Sequence, residues 1–459
     1  MSAAGGGRRS VEEQLARVLD AVRTLPGETR AIRDAAHRTL AEPATAAHDI
    51  PLFDNSAMDG FAVRAADVAA ASEENPVTLR VVADLPAGVS DDPPLAAGEA
   101  ARIMTGSPAP TAADAIVPFE DTAGGLADSL GEVRVLRAPA AAGAFIRRRG
   151  ADLRSGDAVV HAGERLGAFQ LSAAVAAGVE SVTVTRAPRV AVVSTGSELL
   201  EPGETAARGR IPDSNGPLLE LLVADADAEV VLVARVADDA EAVRTVTATA
   251  VERGADVIVF TGGVSAGAYE PVRGAFDGRG EVEFASVAMQ PGKPQAFGVL
   301  DTGTLVFGLP GNPVSVAVSF EVFVRPALLA LQGRTEIHRP RASFTADASW
   351  TPPPGRRQYL PAVVDLANRI QCARRPPAAR ARTSPEVSPE RVHSRSCPQR
   401  SRPSPWAMRS MSCWSNELHA PRLGRPCPHG RCDRQAADRP HRHRARLRAL
   451  QHRRDRRTA

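Results

Sequence analysis

From Arg189 onward, short apolar runs alternate with longer amphipathic ones. RVAVVS leads into TGSELL, EVVLVARV precedes DDAEAVRTVTATAVERG, DVIVF enters TGGVSAG, and TLVFG enters LPGNP, which opens a helix over 313–332. A further helix is predicted near SNGPLLELLVADA. Strand–helix alternation with glycine turns at strand ends predicts a mostly parallel, doubly wound sheet, whose ligands lie beyond the strands' carboxyl ends. The first half reads differently. Residues 10–42 predict two helices, the second ended by Glu42-Pro43, and DIPLFDNSAMDGFAV reads as a turn-rich loop followed by a strand. Short apolar runs between 75 and 140 (VTLRVVA, ARIMTG, AIVPF, EVRVL), split by Pro and Gly, predict a small β domain. IRRRGADLRSGDAVVHAGERL reads as a loop and hairpin leading to a helix at 167–177. No internal repeat is evident.

Composition changes this picture mainly at the end of the chain. At 459 residues, two to four domains are expected. The N-terminal stretch has no signal-peptide pattern, and the most apolar window, VSVAVSFEVFVRPALLAL, contains Glu321 and Arg325. It reads as a packed helix and not a membrane span, so a soluble, cytoplasmic protein is expected. The net charge of +3 hides two regimes. From Gln371 onward there are 22 Arg against 6 Asp+Glu, a net +16, which leaves −13 for residues 1–370. All five cysteines and six of the ten histidines lie in the same tail. CPHGRC lacks the second ligand pair of a zinc site. A disordered or nucleic-acid-binding tail is one reading of such a segment. A shifted reading frame accounts for more: read one base back, RARTSPEVSPERVHSRSCPQRSRPSPWAMRSMSCWS permits a string that alternates like strands. Resequencing the gene tests this, since an intact frame through codon 371 rules it out.

Candidate chemistry concentrates at three turns: STGSE at 194–198, TGGVS at 261–265 and GLPGNP at 308–313. Glycine lets backbone N–H groups approach an anion, and a helix start adds partial positive charge. One such turn means little, because strand-to-helix turns need glycine anyway. Three on one side of a sheet argue for a phosphate-bearing ligand, with Thr195, Ser197, Thr261 and Ser265 as side-chain donors. Glu198, Asp238 and Glu270 stand near these turns and suit Mg²⁺ shared with phosphates. Asp238 reads equally well as a simple helix N-cap. Asp59, before Gly60, is either an Asx-turn residue or a metal or proton ligand. Lys293 is the only lysine of the chain. Its compact ammonium, in a tight prolyl loop, suits a small oxyanion better than a planar guanidinium would, although at such an arginine bias a stray lysine could also fall there by chance.

PLFDNSAMDGFAV, RIMTGSPAP, IRRRGADLRSGD, VVSTGSEL, TGGVS, PGKP and GLPGNPVS, in this order, closely resemble the molybdopterin molybdenumtransferases, relatives of the gephyrin E domain; the match covers residues 10–370. The resemblance implies a multidomain, elongated α/β subunit. Its expected parts are an N-terminal and linker region at 10–185 with a β-rich subdomain at about 50–145, a doubly wound molybdopterin-binding domain at 186–333, and the start of a C-terminal β domain at 334–370. The out-of-frame tail, 371–459, leaves that last domain truncated or disordered. A homodimer, association with enzymes of the same pathway, and Mg²⁺-dependent insertion of molybdate into adenylylated molybdopterin with release of AMP are also implied. Asp59, Thr105, Asp152, Glu198, Asp238 and Lys293 fall on functional positions of family motifs. Catalysis is assigned to Asp59, Glu198, Asp238 and Lys293, and metal ligation to Asp59, Glu198, Asp238 and Glu270. Substrate binding is assigned to Thr105, Asp152, Thr195, Gly196, Ser197, Gly262, Gly263, Ser265, Gly292, Pro310, Gly311 and Asn312. Two positions depart: Gln290 stands where many members have lysine, and Glu270 where many have aspartate.

Two other readings are weighed against this one. A molybdopterin adenylyltransferase shares the α/β fold, but its turn commonly reads GGTG and it needs no long N-terminal half. A non-catalytic scaffold, or nucleic-acid binding through the arginine-rich tail, belongs to another class altogether.

Overall fold

The computed structural model describes residues 8–374, apart from 126–129, 201–202, 206, 266, 268–269, 344, 347–348 and 366–370. These residues fall in one compact unit.

A six-stranded sheet forms the centre of the second half. Its order is Glu229–Val236, Arg189–Thr195, Val257–Thr261, Leu305–Leu309, Pro294–Val299, Val282–Ser286. The first four strands are mutually parallel, and Pro294–Val299 runs antiparallel to both of its neighbours. Val257–Thr261 and Leu305–Leu309 are buried at every position, as strands covered on both faces must be, and this is why they read as unbroken apolar runs. Helices cover both faces. Ala240–Glu252 and Pro271–Phe276 pack on Ala191, Val193, Ile258 and Phe260. Asn215–Asp225 contacts the Arg189–Thr195 and Glu229–Val236 strands, and Pro313–Ser319 contacts Leu305–Leu309. The expected doubly wound architecture is what the chain forms.

The helix opened by Pro313 continues through a π-helical stretch, Phe320–Val324, into Arg325–Leu331. It is the one described helix long and apolar enough to cross a membrane, yet 61% of its most apolar window is buried inside the protein. Burial pushes Arg325 down to about 10, against the neighbouring Glu321. This is a core helix.

The small β domain is a second six-stranded sheet, ordered Ala115–Pro118, Gly60–Val63, Glu99–Ile103, Val77–Leu85, Glu132–Val135, Thr122–Ala123. Alternation puts Phe61 and Val63 in one core and Ala62, Ile103 and Ile116 in another. Gly60 is obligatory, because a Cβ there would lie 2.1 Å from the Val117 carbonyl oxygen.

Two local expectations fail. Residues 10–42 hold one helix, Val11–Ala21, started by a capping box between Ser10 and Glu13. In place of the second helix, Gly27–Ala31 is a strand paired with Ser181–Thr185, and only Ile32–Asp34 makes a helical turn. Pairing with a partner some 150 residues away overrides local propensity. The predicted hairpin also does not form. Ile146–Arg147 pairs with Asn55–Ser56, and Ala158–Val160 with Ala44–Thr45. The intervening loop is tied down by Asp54, which accepts from the Arg149 N–H, and by Asp49, which accepts from the Ser155 N–H.

Residues 334–374 begin a third β region, in which Thr345–Ala346 and Ala362–Asp365 flank Gln371–Arg374. Strand Gln371–Arg374 thus lies just past the compositional break, while 375–459 lie outside the described residues.

Candidate functional site

The three glycine turns meet at one rim of the central sheet. Gly262 N–H donates to the Leu309 carbonyl at 2.9 Å, and Thr195 Oγ1 donates to the Thr261 carbonyl at 3.3 Å. The approach is close enough to exclude side chains. Gly262 (φ 93°) would place a Cβ 2.6 Å from the Thr195 carbonyl oxygen, and Gly263 (φ 65°) one 2.9 Å from Pro271. Gly196 would set its Cβ 2.5 Å from the Glu198 carboxylate, which folds back over this turn.

Asn215 locks the second turn to the third. Its Nδ2 donates to Thr261 Oγ1 at 3.0 Å and to the Gly311 carbonyl at 2.8 Å. A carbonyl only accepts, so this pair fixes the amide's orientation and turns Oδ1 away. Among the described residues, Asn215 Oδ1 and Ser194 Oγ are buried with no hydrogen-bond partner. Just ahead, Asp213 accepts the N–H groups of Asn215 and Gly216, both at 3.0 Å, and holds the helix start against the rim. Sequence reasoning missed Asp213 and Asn215. The signal was present in PDSNG, an Asx-type cap before an apolar helical run.

Ser197 and Asp238 are brought together. The Ser197 N–H donates to Asp238 Oδ2, and the Asp238 N–H donates to Ser197 Oγ, both at 3.1 Å. The N-cap of the following helix is Asp239, whose side chain accepts from Ala242 N–H, so Asp238 is free of that duty. Glu198 is exposed on the same turn. Glu270 is used differently: its carboxylate accepts the N–H groups of Ser265 (2.8 Å) and Gly267 (3.1 Å) and organises the TGGVS loop. Asn312 caps its helix, with Oδ1 accepting from Val314 and Ser315 N–H.

Lys293 reaches the same rim through strand register. Ala296 pairs with Gly308 in an antiparallel ladder, so the Pro294–Val299 strand begins at the end of the sheet where Leu305–Leu309 finishes. The loop is held by Gln295, whose Nε2 donates to the Gly292 carbonyl (2.8 Å) and to Ser319 Oγ (2.7 Å). Gly292 (φ 102°) fits tightly, since a Cβ there would lie 2.9 Å from Met289. The Lys293 side chain is exposed and makes no ion pair among the described residues.

Asp59 and Thr105 pair within the small β domain. Asp59 Oδ1 accepts both the Thr105 N–H and its hydroxyl at 2.7 Å, and those two bonds hold the carboxyl below the usual aspartate range. Asp152 is exposed beside Ile50, to whose carbonyl its N–H donates. Among the described residues, no three carboxylate, histidine or cysteine side chains gather closely enough to hold a metal. Asp59, Glu198, Asp238 and Glu270 are therefore not one ligand cluster.

A doubly wound α/β sheet with a glycine-lined, hydroxyl-bearing rim beyond its parallel strands belongs to the class of folds that take polar small molecules at that edge. Residues 9–178 match the MoeA N-terminal region (domain I and II), and residues 191–330 match a family described as a probable molybdopterin binding domain. Molybdopterin molybdenumtransferase 2 of Mycobacterium tuberculosis is 44% identical over 378 residues, 81% of this chain and 91% of that protein. The molybdopterin molybdenumtransferase of Staphylococcus aureus is 34% identical over 328 residues, 71% and 77% respectively. The solved molybdopterin biosynthesis moeA protein of Pyrococcus horikoshii OT3 superposes with a TM-score of 0.67 at 28% identity, covering 80% of this chain and 90% of that one. The chain belongs to the molybdopterin molybdenumtransferases, transferases of molybdenum cofactor biosynthesis.

Proposed function

We propose that the chain inserts molybdate into adenylylated molybdopterin and releases AMP. The observation that carries this reading is the side-by-side packing of the 194–198, 261–265 and 308–313 turns, with the Lys293 loop entering at the same rim. Two anions must be held by a body whose first 370 residues carry a net −13. That requires local focusing by backbone N–H groups and a few cations.

The residues divide the work as follows. Thr195, Gly196 and Ser197, with Gly262, Gly263 and Ser265, line the phosphate-bearing part of the substrate, and Pro310, Gly311 and Asn312 close the third side. Asn215 keeps the second and third turns in register. Lys293, fixed in place through Gly292, attracts molybdate as a compact charge. Glu198 and Asp238 sit on adjacent strand ends joined by the Ser197 clasp. Two hard-oxygen carboxylates beside a phosphate site fit Mg²⁺, which typically takes one or two carboxylates and completes its shell from substrate and water. When bound, Mg²⁺ would neutralise charge on the phosphoanhydride being cut. Glu270, engaged with loop N–H groups, serves loop geometry in this scheme. Asp59, Thr105 and Asp152 belong to the same reaction as substrate contacts from the N-terminal half. A homodimer, contact with other enzymes of the pathway and a cytoplasmic location complete the proposal.

The test is AMP release from adenylylated molybdopterin by the full chain, with molybdate and Mg²⁺ each omitted in turn. Release that depends on both supports the reading; ATP consumption without molybdate would assign the chain to the preceding adenylylation step.

A further inference from the structure

The Arg273 guanidinium is held in an unusual way beside the TGGVS turn. Its Nε donates to the Ser265 carbonyl at 3.1 Å, its backbone N–H donates to the Gly263 carbonyl at 3.2 Å, and its Cζ stacks 4.3 Å above the Phe284 ring. The residue is only partly exposed, and no carboxylate lies within ion-pair distance of it among the described residues. Its immediate acidic neighbour in sequence, Glu270, spends its carboxylate on the Ser265 and Gly267 N–H groups. A partly buried cation normally has an anionic partner, because desolvated charge without one is costly. Most other partly buried arginines near the central sheet have theirs: Arg186 pairs with Asp256, Arg334 with Asp227 and Arg339 with Glu321.

We infer that Arg273 is a substrate-binding residue that grips a phosphoryl group at the Ser265 side of the rim. The arrangement suits that task. Phe284 and the Ser265 carbonyl fix the plane of the fork and use Nε, which leaves the Nη donors for an acceptor. A guanidinium fork matches two phosphoryl oxygens at once, whereas an ammonium offers a point charge. The fork also compensates for a shortage of amides, since Glu270 already occupies the Ser265 and Gly267 N–H groups that would otherwise face an anion. Arg273 and Lys293 then hold different anions: the fork takes the phosphoryl group and the ammonium takes the metal oxyanion.

This inference rests on the proposed function only for the identity of the ligand, so the experiment separates the two. Binding of AMP and of molybdopterin to the full chain is measured by calorimetry, which needs no turnover, alongside molybdate-dependent AMP release. Arg273→Gln is expected to weaken at least one of the two phosphorylated ligands by roughly 10-fold or more, the size of a lost charge-assisted pair. Which ligand is affected tells whether the phosphoryl group belongs to the adenylate or the pterin. Arg273→Lys is expected to weaken the same ligand several-fold, and Lys293→Gln to leave that affinity within about twofold while raising the KM for molybdate. The inference is overturned if both ligands bind Arg273→Gln within twofold of the unsubstituted chain, or if that chain binds neither. Should Arg273→Gln not fold, Arg273→Lys decides by the same criterion. Ligand binding without molybdate-dependent AMP release would overturn the proposed reaction and leave the Arg273 assignment standing.

Discussion

Ser197 and Asp238 exchange hydrogen bonds in both directions, each backbone N–H donating to the other's side chain at 3.1 Å. The ends of two adjacent parallel strands are thereby fastened at the rim. Asp238→Ala removes one acceptor and lets the 194–198 turn relax away from its neighbour. The expected outcome is a KM for adenylylated molybdopterin raised by roughly 10-fold, a lower turnover at limiting Mg²⁺ because Asp238 is also a proposed Mg²⁺ ligand, and little change in Tm, because the clasp is exposed. Steady-state AMP release and a thermal melt read the two effects separately.

Asp227 accepts from both Arg165 and Arg334 and ties the Thr39 region to the end of the Asn215–Asp225 helix. Burial alone would raise this carboxyl, but the two guanidinium hydrogen bonds outweigh it and hold it below the ordinary range. A depressed carboxylate contributes stability above its unfolded value, about pH 4, and loses that contribution as pH falls through the lowered folded value. Asp227→Asn tolerates the positive φ of 54°, removes the charge and turns one of the two accepting oxygens into a donor that faces a guanidinium. It is expected to destabilise the chain by about 2–4 kcal/mol at pH 7, below the range for fully buried pairs because Arg165 is part-exposed. The deficit should shrink under acid, as urea titrations at pH 7 and pH 3 would show.

Gly262 is the rim glycine that comes nearest to another turn's backbone. Gly262→Ala combines a positive φ with a 2.6 Å approach to the Thr195 carbonyl oxygen. The expected result is loss of 1–3 kcal/mol of stability and a larger proportional loss of AMP release than any exposed rim substitution. Ala at Gly203, which has open space around it, provides the comparison.

Lys293→Arg tests whether charge suffices at the prolyl loop. The planar fork is larger than the ammonium it replaces, so the KM for molybdate should rise several-fold despite the conserved charge. Equal KM values for both forms would refute a size-selective role.

Thr105 supplies both bonds that depress Asp59. Thr105→Val removes the hydroxyl and keeps the backbone donor, so Asp59 should titrate closer to the ordinary aspartate range while staying below it. Carboxyl-carbon NMR of the two forms, recorded across pH 2–6, would show the shift.

The central sheet was readable from sequence because buried parallel strands leave unbroken apolar runs, and two of those runs stop at glycines, Gly196 and Gly262, that the geometry demands. The same glycines exposed most of the rim. Arg273 was invisible, since its meaning depends on Phe284 lying beneath it and on Glu270 being occupied elsewhere. Asp213 and Asn215 carried a capping signal, but which turn they would fasten is a tertiary fact. The N-terminal half resisted for a related reason: Gly27–Ala31 and Ile146–Arg147 become strands only through partners roughly 90 to 150 residues distant. Which of the four carboxylates stand near one another was not legible either, because motif membership says nothing about distance.

Arg357–Gln358 lies parallel to Met289–Gln290, Tyr359 N–H donates to the Gln290 carbonyl, and Arg357 reaches Glu12 on the first helix. The loop carrying the sole lysine is therefore braced by chain that arrives some sixty residues after it. A polypeptide trimmed ahead of Arg356 would keep every rim glycine and still let that loop drift, whereas one ending just past Tyr359 would retain the brace. Where a shortened version of this protein stops working marks the reach of that brace along the chain.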